Sequence, residues 1–303
     1  MSASLSVIIP AYNETARLGN SLRAVVKYLR QSWPVAELIV VDDGSTDNTA
    51  SLAHEVLNDT TGAGNNPGNP ARRETDIREN AARRETNTRE NAARRDTDTR
   101  TDARTSGHNL RTSVITYKSN LGKGRAVRLG LLAARGEVAL FSDADLSTPI
   151  TETPKLVDPI LNGQFDVTFG SRALDRNLIG VHQPWRREQG GRVFNLAVRL
   201  ATGLPFWDTQ CGFKAFRMSV CRPLVEAATV DRFGFDVELL YLAFRAGLRL
   251  KEVPVRWDHN EGSTVSLASD SFRMLSEVGL IRQQTRRGVY DAAIRAVHEL
   301  ANK

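Results

Sequence analysis

Asp143-Ala144-Asp145 sets two carboxylates one residue apart, directly after the apolar run Val138-Ala139-Leu140-Phe141. A strand that delivers two acids to its carboxyl end can hold a hard divalent cation against a diphosphate. Mg2+ and Mn2+ take oxygen ligands and leave positions open for phosphate oxygens. The chemistry this spacing suggests is that of a nucleotide-sugar donor. An Asp-x-Asp in a loop is also ordinary turn and cap chemistry, so its meaning depends on its neighbours.

The neighbours are three more polar loops, each after an apolar strand. Val7-Ile8-Ile9-Pro10 runs into Ala11-Tyr12-Asn13-Glu14, where Pro10 ends a strand and Asn13 or Thr15 caps the next helix. Val41 is followed by Asp42-Asp43-Gly44-Ser45. Gly44 permits a tight turn there, an acid can accept the N3 hydrogen of a uracil ring, and an aromatic ring such as Tyr12 can flank the base. Ser119-Asn120-Leu121-Gly122-Lys123 precedes a helical pattern, and a helix N-terminus is an anion site.

The elements that must position these loops alternate between strand and helix. Strands are predicted at Leu5 to Pro10, Glu37 to Val41, Thr112 to Tyr117 and Glu137 to Phe141, with helices at Ala16 to Leu29, Asp47 to Leu57 and Gly124 to Ala134. The pattern is α/β, a Rossmann-like doubly wound and mainly parallel sheet, in which ligands bind at the carboxyl ends of the strands. All four polar loops then meet on one edge.

Between the second helix and third strand, Ala71 to Ala103 holds three near-copies of an 11-residue unit beginning Ala-Arg-Arg, with Ile77 its one large apolar residue. Without an apolar seam the repeat cannot pack as a helix, so 61–108 is expected to be a disordered, mixed-charge insertion in a surface loop. Acids interleaved with the arginines nearly cancel its charge, which argues against a nucleic-acid partner.

The 303 residues are 41% hydrophobic, enough for one large α/β domain. No run approaches the roughly 18 to 20 apolar residues of a membrane helix, and the N-terminus lacks a signal-type segment. The expected location is the cytoplasm, peripheral on the cytoplasmic face of a membrane. Cys211 and Cys221 read as reduced core thiols rather than a disulfide. A formal charge of +6 suits an anionic partner without choosing one.

The runs Ser6 to Glu14 and Val41 to Thr49, with Asn120 to Gly124 and Asp143 to Pro149, resemble family-two inverting glycosyltransferases of the GT-A fold. Asp208-Thr209-Gln210-Cys211-Gly212-Phe213-Lys214 resembles their dolichyl-phosphate β-glucosyltransferase and polyprenyl-phosphate glycosyltransferase branch. The resemblance implies a GT-A domain over 1–265 and transfer of a hexose, glucose first, from a UDP-sugar to a polyprenyl phosphate with inversion, using Mg2+ or Mn2+. Asp43, with Asp42 beside it, would hold the uracil, and Pro10, Tyr12, Asn13 and Glu14 would line the nucleoside pocket. Lys123 and the helix start at Gly124 would meet the diphosphate. Asp145 would bind metal directly, with Asp143 helping through the ribose or a water and Ala144 between them.

On the acceptor side the resemblance assigns the phosphate to Arg172, Arg187 and Arg192, where guanidinium geometry suits a phosphate. Asp208 and Gln210 lie on the branch-specific segment. A phosphate monoester carries about −1.5 to −2 charges at neutral pH, so its oxygen needs no general base. Asp208 is therefore expected to position groups or steady positive charge rather than take a proton. Arg125 and Arg128 read as solvated helix charges.

Two positions depart from the relatives' pattern. Ser147 stands where mannosyl-transferring relatives have a metal-binding glutamine, and Thr264 replaces a lysine, with His259 nearby. Residues 266–303 read as helical, with apolar positions at Leu275, Val278, Ile281 and Val297 and bases at Arg273, Arg282, Arg286 and Arg287. They suit packing on the domain or docking on anionic headgroups, so a membrane surface or a membrane-spanning partner protein is expected. Alternatives are transfer to a soluble acceptor and a non-catalytic interaction protein on the same core.

Overall fold

A continuous apolar strand is stable only with both faces covered, and the core is divided accordingly. In the computed structural model, which describes residues 4–60, 101–105, 108–181, 195–258 and 267–301, β1 (Leu5–Ala11) is buried along its whole length. Its register sets Ile8 beside Ile39 of β2 (Val35–Asp42) and Phe141 of β5 (Val138–Ser142). These three point to one face and Val7, Leu38 and Leu140 to the other, as the two-residue period of a strand requires.

The second of those faces is covered by α1 (Leu18–Ser32), α2 (Thr49–Thr60) and α4 (Thr153–Leu161). Helix α1 delivers Leu18, Leu22, Val25, Val26 and Leu29, the spacing of one helical stripe. The first face is covered by α3 (Lys123–Ala133), α6 (Met218–Ala227), α7 (Phe235–Arg245), α8 (Leu267–Arg286) and α9 (Asp291–Ala301).

The main sheet has the order β3-β4-β2-β1-β5-β8-β6-β9, completed by β3 (Thr101–Thr105), β4 (His108–Thr116), β6 (Val167–Ser171), β8 (Phe213–Arg217) and β9 (Leu250–Pro254). A small sheet pairs β7 (Ile179–Val181) with β10 (Trp257–Asp258), and 195–202 forms α5. Strands β4, β2, β1 and β5 are parallel, so their carboxyl ends share an edge as the loop pattern predicts. Strand β8 runs antiparallel between β5 and β6. It therefore enters the sheet where β5 and β6 leave it, with Phe213 beside Ser142. That reversal carries the segment ending at Gly212 onto the same edge as the loops.

Every predicted strand and helix of the first half is present, shifted at its ends by a few residues. The insertion expected over 61–108 falls mostly outside the described residues. Its last part differs from expectation: Thr101–Thr105 pairs antiparallel with His108–Thr112 and forms the sheet edge. A five-residue strand with no apolar alternation gives no periodic signal, and cross-strand backbone pairing supplies what side-chain pattern lacks.

The C-terminal helices bury Val278, Ile281 and Val297 of the expected apolar positions and leave Leu275 exposed. Val278, Ile281, Tyr290 and Val297 belong to the cluster formed with α3, α6 and α7, while Arg273, Arg282, Arg286 and Arg287 are exposed. Among the described residues no helix is long and apolar enough to cross a membrane. Ile281 is 0% exposed, so Ile281→Ala is expected to destabilise the chain by about 2–5 kcal/mol in urea or thermal unfolding. An unchanged midpoint would show that α8 is not part of the cooperative core.

Candidate active site

The edge where the four loops meet is a cleft of about 390 Å³, within the range of small-molecule sites. Pro10, Tyr12 and Glu14 line it from the end of β1, Asp43 from β2, Lys123 from α3, and Asp143, Ala144 and Asp145 from β5. Eight of the predicted donor-side residues are thus brought together. Tyr12 is 43% exposed, a ring face open for stacking.

Asn13 and Asp42 work behind the wall. Asn13 sits at φ 55, and its side-chain oxygen accepts from Thr46 N at 2.9 Å while its own N–H donates to Ser45 Oγ at 2.9 Å. It ties the first loop to the second. Asp42 is buried and accepts from the Ser45 hydroxyl, and burial raises its pKa. Gly124 acts through its backbone: a Cβ there would lie 2.6 Å from Phe235 Cβ and 2.8 Å from the Arg232 carbonyl.

Asp43 is also a builder of the cleft. It is 3% exposed; Oδ1 accepts from Tyr117 Oη at 2.6 Å and Leu121 N at 2.8 Å, and Oδ2 accepts from Gly122 N at 2.9 Å. The carboxylate thus fixes the turn that starts α3. Tyr117, pushed upward in pKa by burial and by this bond, is a partner the sequence reading missed. A carboxylate oxygen has two lone pairs, and Oδ2, which accepts from Gly122 N, keeps acceptor capacity toward the cleft.

Lys123 Nζ lies 2.6 Å from Asp143 Oδ1, a close ion pair. Burial disfavours the ammonium, but Asp143 and Asp236 outweigh it and leave the Lys123 pKa raised. Asp145 Oδ1 accepts from Ser147 N at 2.9 Å, across a turn in which Leu146 takes φ 48. Asp143 and Asp145, two carboxylates lining one cleft, are an oxygen donor set that fits a hard divalent cation sharing its shell with phosphate oxygens. Ser147 enters the turn through its N–H, and its carbonyl accepts from Asp258 N at 2.8 Å.

Of the residues expected on the acceptor side, Arg172 and Asp208 face each other as a fork. Arg172 Nε and Nη2 donate to Asp208 Oδ2 and Oδ1 at 2.7 and 2.8 Å, and Arg172 N donates to Oδ2 at 2.9 Å. The side chains are 30% and 3% exposed. Burial alone would raise the Asp208 carboxyl; the Arg172 charge and its hydrogen bonds hold it at about 2. Arg172 is displaced upward by the same pairing. Glu252 of β9 braces the turn, accepting from Asp208 N at 2.8 Å and Trp207 N at 2.9 Å. Gln210 turns away from the cleft: its Nε2 contacts Met274 Sδ of α8 at 3.5 Å. Arg187, Arg192, His259 and Thr264 lie outside the described residues.

The two sides touch through Gly212. Its carbonyl accepts from Asp143 N at 3.0 Å, and a Cβ at 212 would stand 2.1 Å from Asp143 Oδ2. Behind this contact, Lys214 is 0% exposed and donates to the Cys211 carbonyl at 2.5 Å while pairing with Asp236 Oδ1 at 2.7 Å. Sequence reading assigned Lys214 no role, although a lysine between Phe213 and Ala215-Phe216 in an apolar strand signals a buried ion pair. Burial raises Cys211 to about 12, which leaves no thiolate for chemistry. Arg128 is not a solvated charge: it donates to the Ala228 carbonyl and to Asp231 Oδ1 at 2.6 Å.

Residues 6–68 and 96–224 match the family model described as glycosyl transferase family 2. The chain is 32% identical to a dolichyl-phosphate beta-glucosyltransferase of Drosophila melanogaster over 88% of its own length and 70% of the relative's. It is 27% identical to the dolichyl-phosphate beta-glucosyltransferase of Saccharomyces cerevisiae over 94% and 76%. Among solved structures it shares its fold with glucosyl-3-phosphoglycerate synthase of Mycobacterium tuberculosis, at a TM-score of 0.56 and 20% identity over 92% of this chain and 80% of that one. The same enzyme in complex with Mn2+, UDP and glucosyl-3-phosphoglycerate gives a TM-score of 0.52 over 95% and 79%.

Because the Asp208 pKa is depressed from 3.8 to about 2, its stabilisation is fully present above about pH 4 and is lost as pH falls toward 2. Asp208→Asn is expected to be less stable at neutral pH and to flatten the acid limb of urea unfolding between about pH 4 and 2. Parallel acid limbs for the two proteins would remove the ion pair from the account.

Proposed function

Because this chain belongs to glycosyl transferase family 2, we propose that it transfers a hexose, glucose first, from a UDP-sugar to a polyprenyl phosphate, with inversion at the anomeric carbon. The supporting observation is the acceptor side. Asp208 is its carboxylate, and a group held at about 2 is a poor base at neutral pH. A hydroxyl acceptor would need a base; a phosphate monoester arrives ionised. The Arg172–Asp208 fork suits an anionic acceptor, since the guanidinium keeps further N–H groups for a phosphate oxygen. Relatives named as dolichyl-phosphate beta-glucosyltransferases point to the same class.

On the donor side, Tyr12 offers a ring for the base, Asp43 an acceptor for its N3 hydrogen, and Lys123 at the start of α3 a charge for the diphosphate. Asp143 and Asp145 would hold Mg2+ or Mn2+, as their oxygen set allows, and the solved Mn2+ and UDP complex of the same fold agrees. Such an ion supplies charge neutralisation for the leaving diphosphate. This chain's residues do the rest: Gly212 sets the acceptor segment against Asp143, Asp208 orients Arg172, and Arg172 aligns the phosphate oxygen with the anomeric carbon. Inversion follows from one in-line displacement. The lipid acceptor places the protein at a membrane surface, peripheral on its cytoplasmic face in this reading.

Incubation with radiolabelled UDP-glucose, Mg2+ or Mn2+ and a short polyprenyl phosphate, followed by organic extraction, is expected to move label into the lipid phase. Label that stays aqueous with every lipid tried would sink the acceptor assignment, and label on a soluble acceptor would replace it. Asp145→Ala is expected to abolish transfer; unchanged turnover would mean that the metal assignment is wrong.

A further inference from the structure

The residues from Thr229 to Gly234 form a loop whose backbone is tied down from three helices, α3, α7 and α8. Thr229 N and Oγ1 donate to Glu238 Oε1, both at 2.8 Å, and Val230 N donates to Glu238 Oε2 at 2.9 Å. Tyr290 Oη, just before α9, donates to the same Oε1 at 2.6 Å. From α3, Arg128 binds Asp231 Oδ1 and Arg125 N donates to the Asp231 carbonyl at 3.0 Å. From α8, Glu277 Oε2 accepts from Gly234 N at 2.6 Å. Glycine at 122 and 124 gives the loop its room: a Cβ on Gly122 would lie 2.4 Å from the Asp231 carbonyl and 2.9 Å from Arg232 Cγ.

What this fixed backbone presents is Arg232 and Phe233, both on the wall of the donor cleft. Three cations line that cleft. Arg17 is paired with Glu14, through Nη2 to Oε1 at 2.7 Å, and Lys123 with Asp143. Arg232 is exposed and has neither a hydrogen bond nor an ion pair from its guanidinium to any described residue. A diphosphate bound here meets two cations held in close ion pairs and a third, Arg232, which feels the Glu277 carboxylate only at a distance and keeps its guanidinium N–H groups open. Guanidinium matches phosphate oxygens two at a time, and a pre-set backbone reduces the ordering cost of that grip.

We propose that Arg232 grips the diphosphate of the donor, and that the C-terminal helices position it through Glu277 and Tyr290. The inference rests on the UDP-sugar reading and extends the site beyond the matched residues, which end at 224.

Calorimetric titration of the full chain with UDP and with uridine, in the presence of Mn2+, tests it. Arg232→Ala is expected to weaken UDP roughly 10- to 100-fold with uridine unchanged, and Arg232→Lys to recover part of the loss. Equal UDP affinity for wild type and Arg232→Ala would overturn the assignment. Wild type that prefers UDP no more than uridine would instead refute the donor reading. Glu277→Ala is expected to weaken UDP less than Arg232→Ala does, and to add little in the Arg232→Ala background. A full additional loss in that background would overturn the positioning role.

Discussion

The constraint on which the site depends is the meeting of Gly212 with Asp143, a backbone against a carboxylate with no room for a Cβ. The proposed acceptor side is placed by it. Strand β8 must run antiparallel for Gly212 to arrive at the end of β5, and only this direction lets Asp208, four residues earlier, reach Arg172 at the end of β6. One strand reversal in a mainly parallel sheet thus converts a donor cleft into a two-sided site. The constraint also explains why glycine stands just before β8: any side chain there would push the carboxylate off its turn.

Around that contact the charges alternate. Arg172 faces Asp208, Lys214 faces Asp236, and Lys123 faces Asp143, and the influence of each pair extends to the next. Asp236 shows the balance of terms: burial raises its pKa, while Lys214 and Lys123 lower it without cancelling the rise. Taking such charges out of water is costly, and the mutual pairing offsets it only while each partner stays in place. An alternating array is therefore rigid, and rigidity is what the proposed alignment of two anionic reactants near one carbon requires.

Sequence periodicity revealed the strands and helices of the first half because both faces of β1, β2 and β5 are buried and α1 keeps a single stripe. The loops that end those strands were legible for the same reason: parallel strands put their carboxyl ends together. Residue type alone could not separate the lining of the cleft from its framework. Asp42 and Asp43 are adjacent acids, yet one holds a hydroxyl behind the wall and the other clamps the start of α3. Arg128 looked solvated on a helical wheel because its partners, Ala228 and Asp231, are a hundred residues away. Thr101–Thr105 was invisible because backbone pairing carries it. Arg232 was missed for a related reason: an arginine in a loop carries no pattern until the loop's position against Gly122 and Gly124 is known.

The C-terminal helices join these threads. Their buried side belongs to the same apolar cluster as α3 and α7, and their polar reach, Glu277 and Tyr290, ends on the loop that touches α3. Glu238 is the joint: it is 0% exposed and accepts from Thr229, Val230 and Tyr290, so a fully buried carboxylate is satisfied wholly by groups that must hold still together. Loss of any donor would leave that buried charge under-solvated, a penalty larger than the bond itself. Local opening of α9 and loosening of the 229–234 loop are therefore thermodynamically linked. In a fold whose substrate side is built from loops, this linkage lets helices remote from the chemistry set the geometry of the cleft.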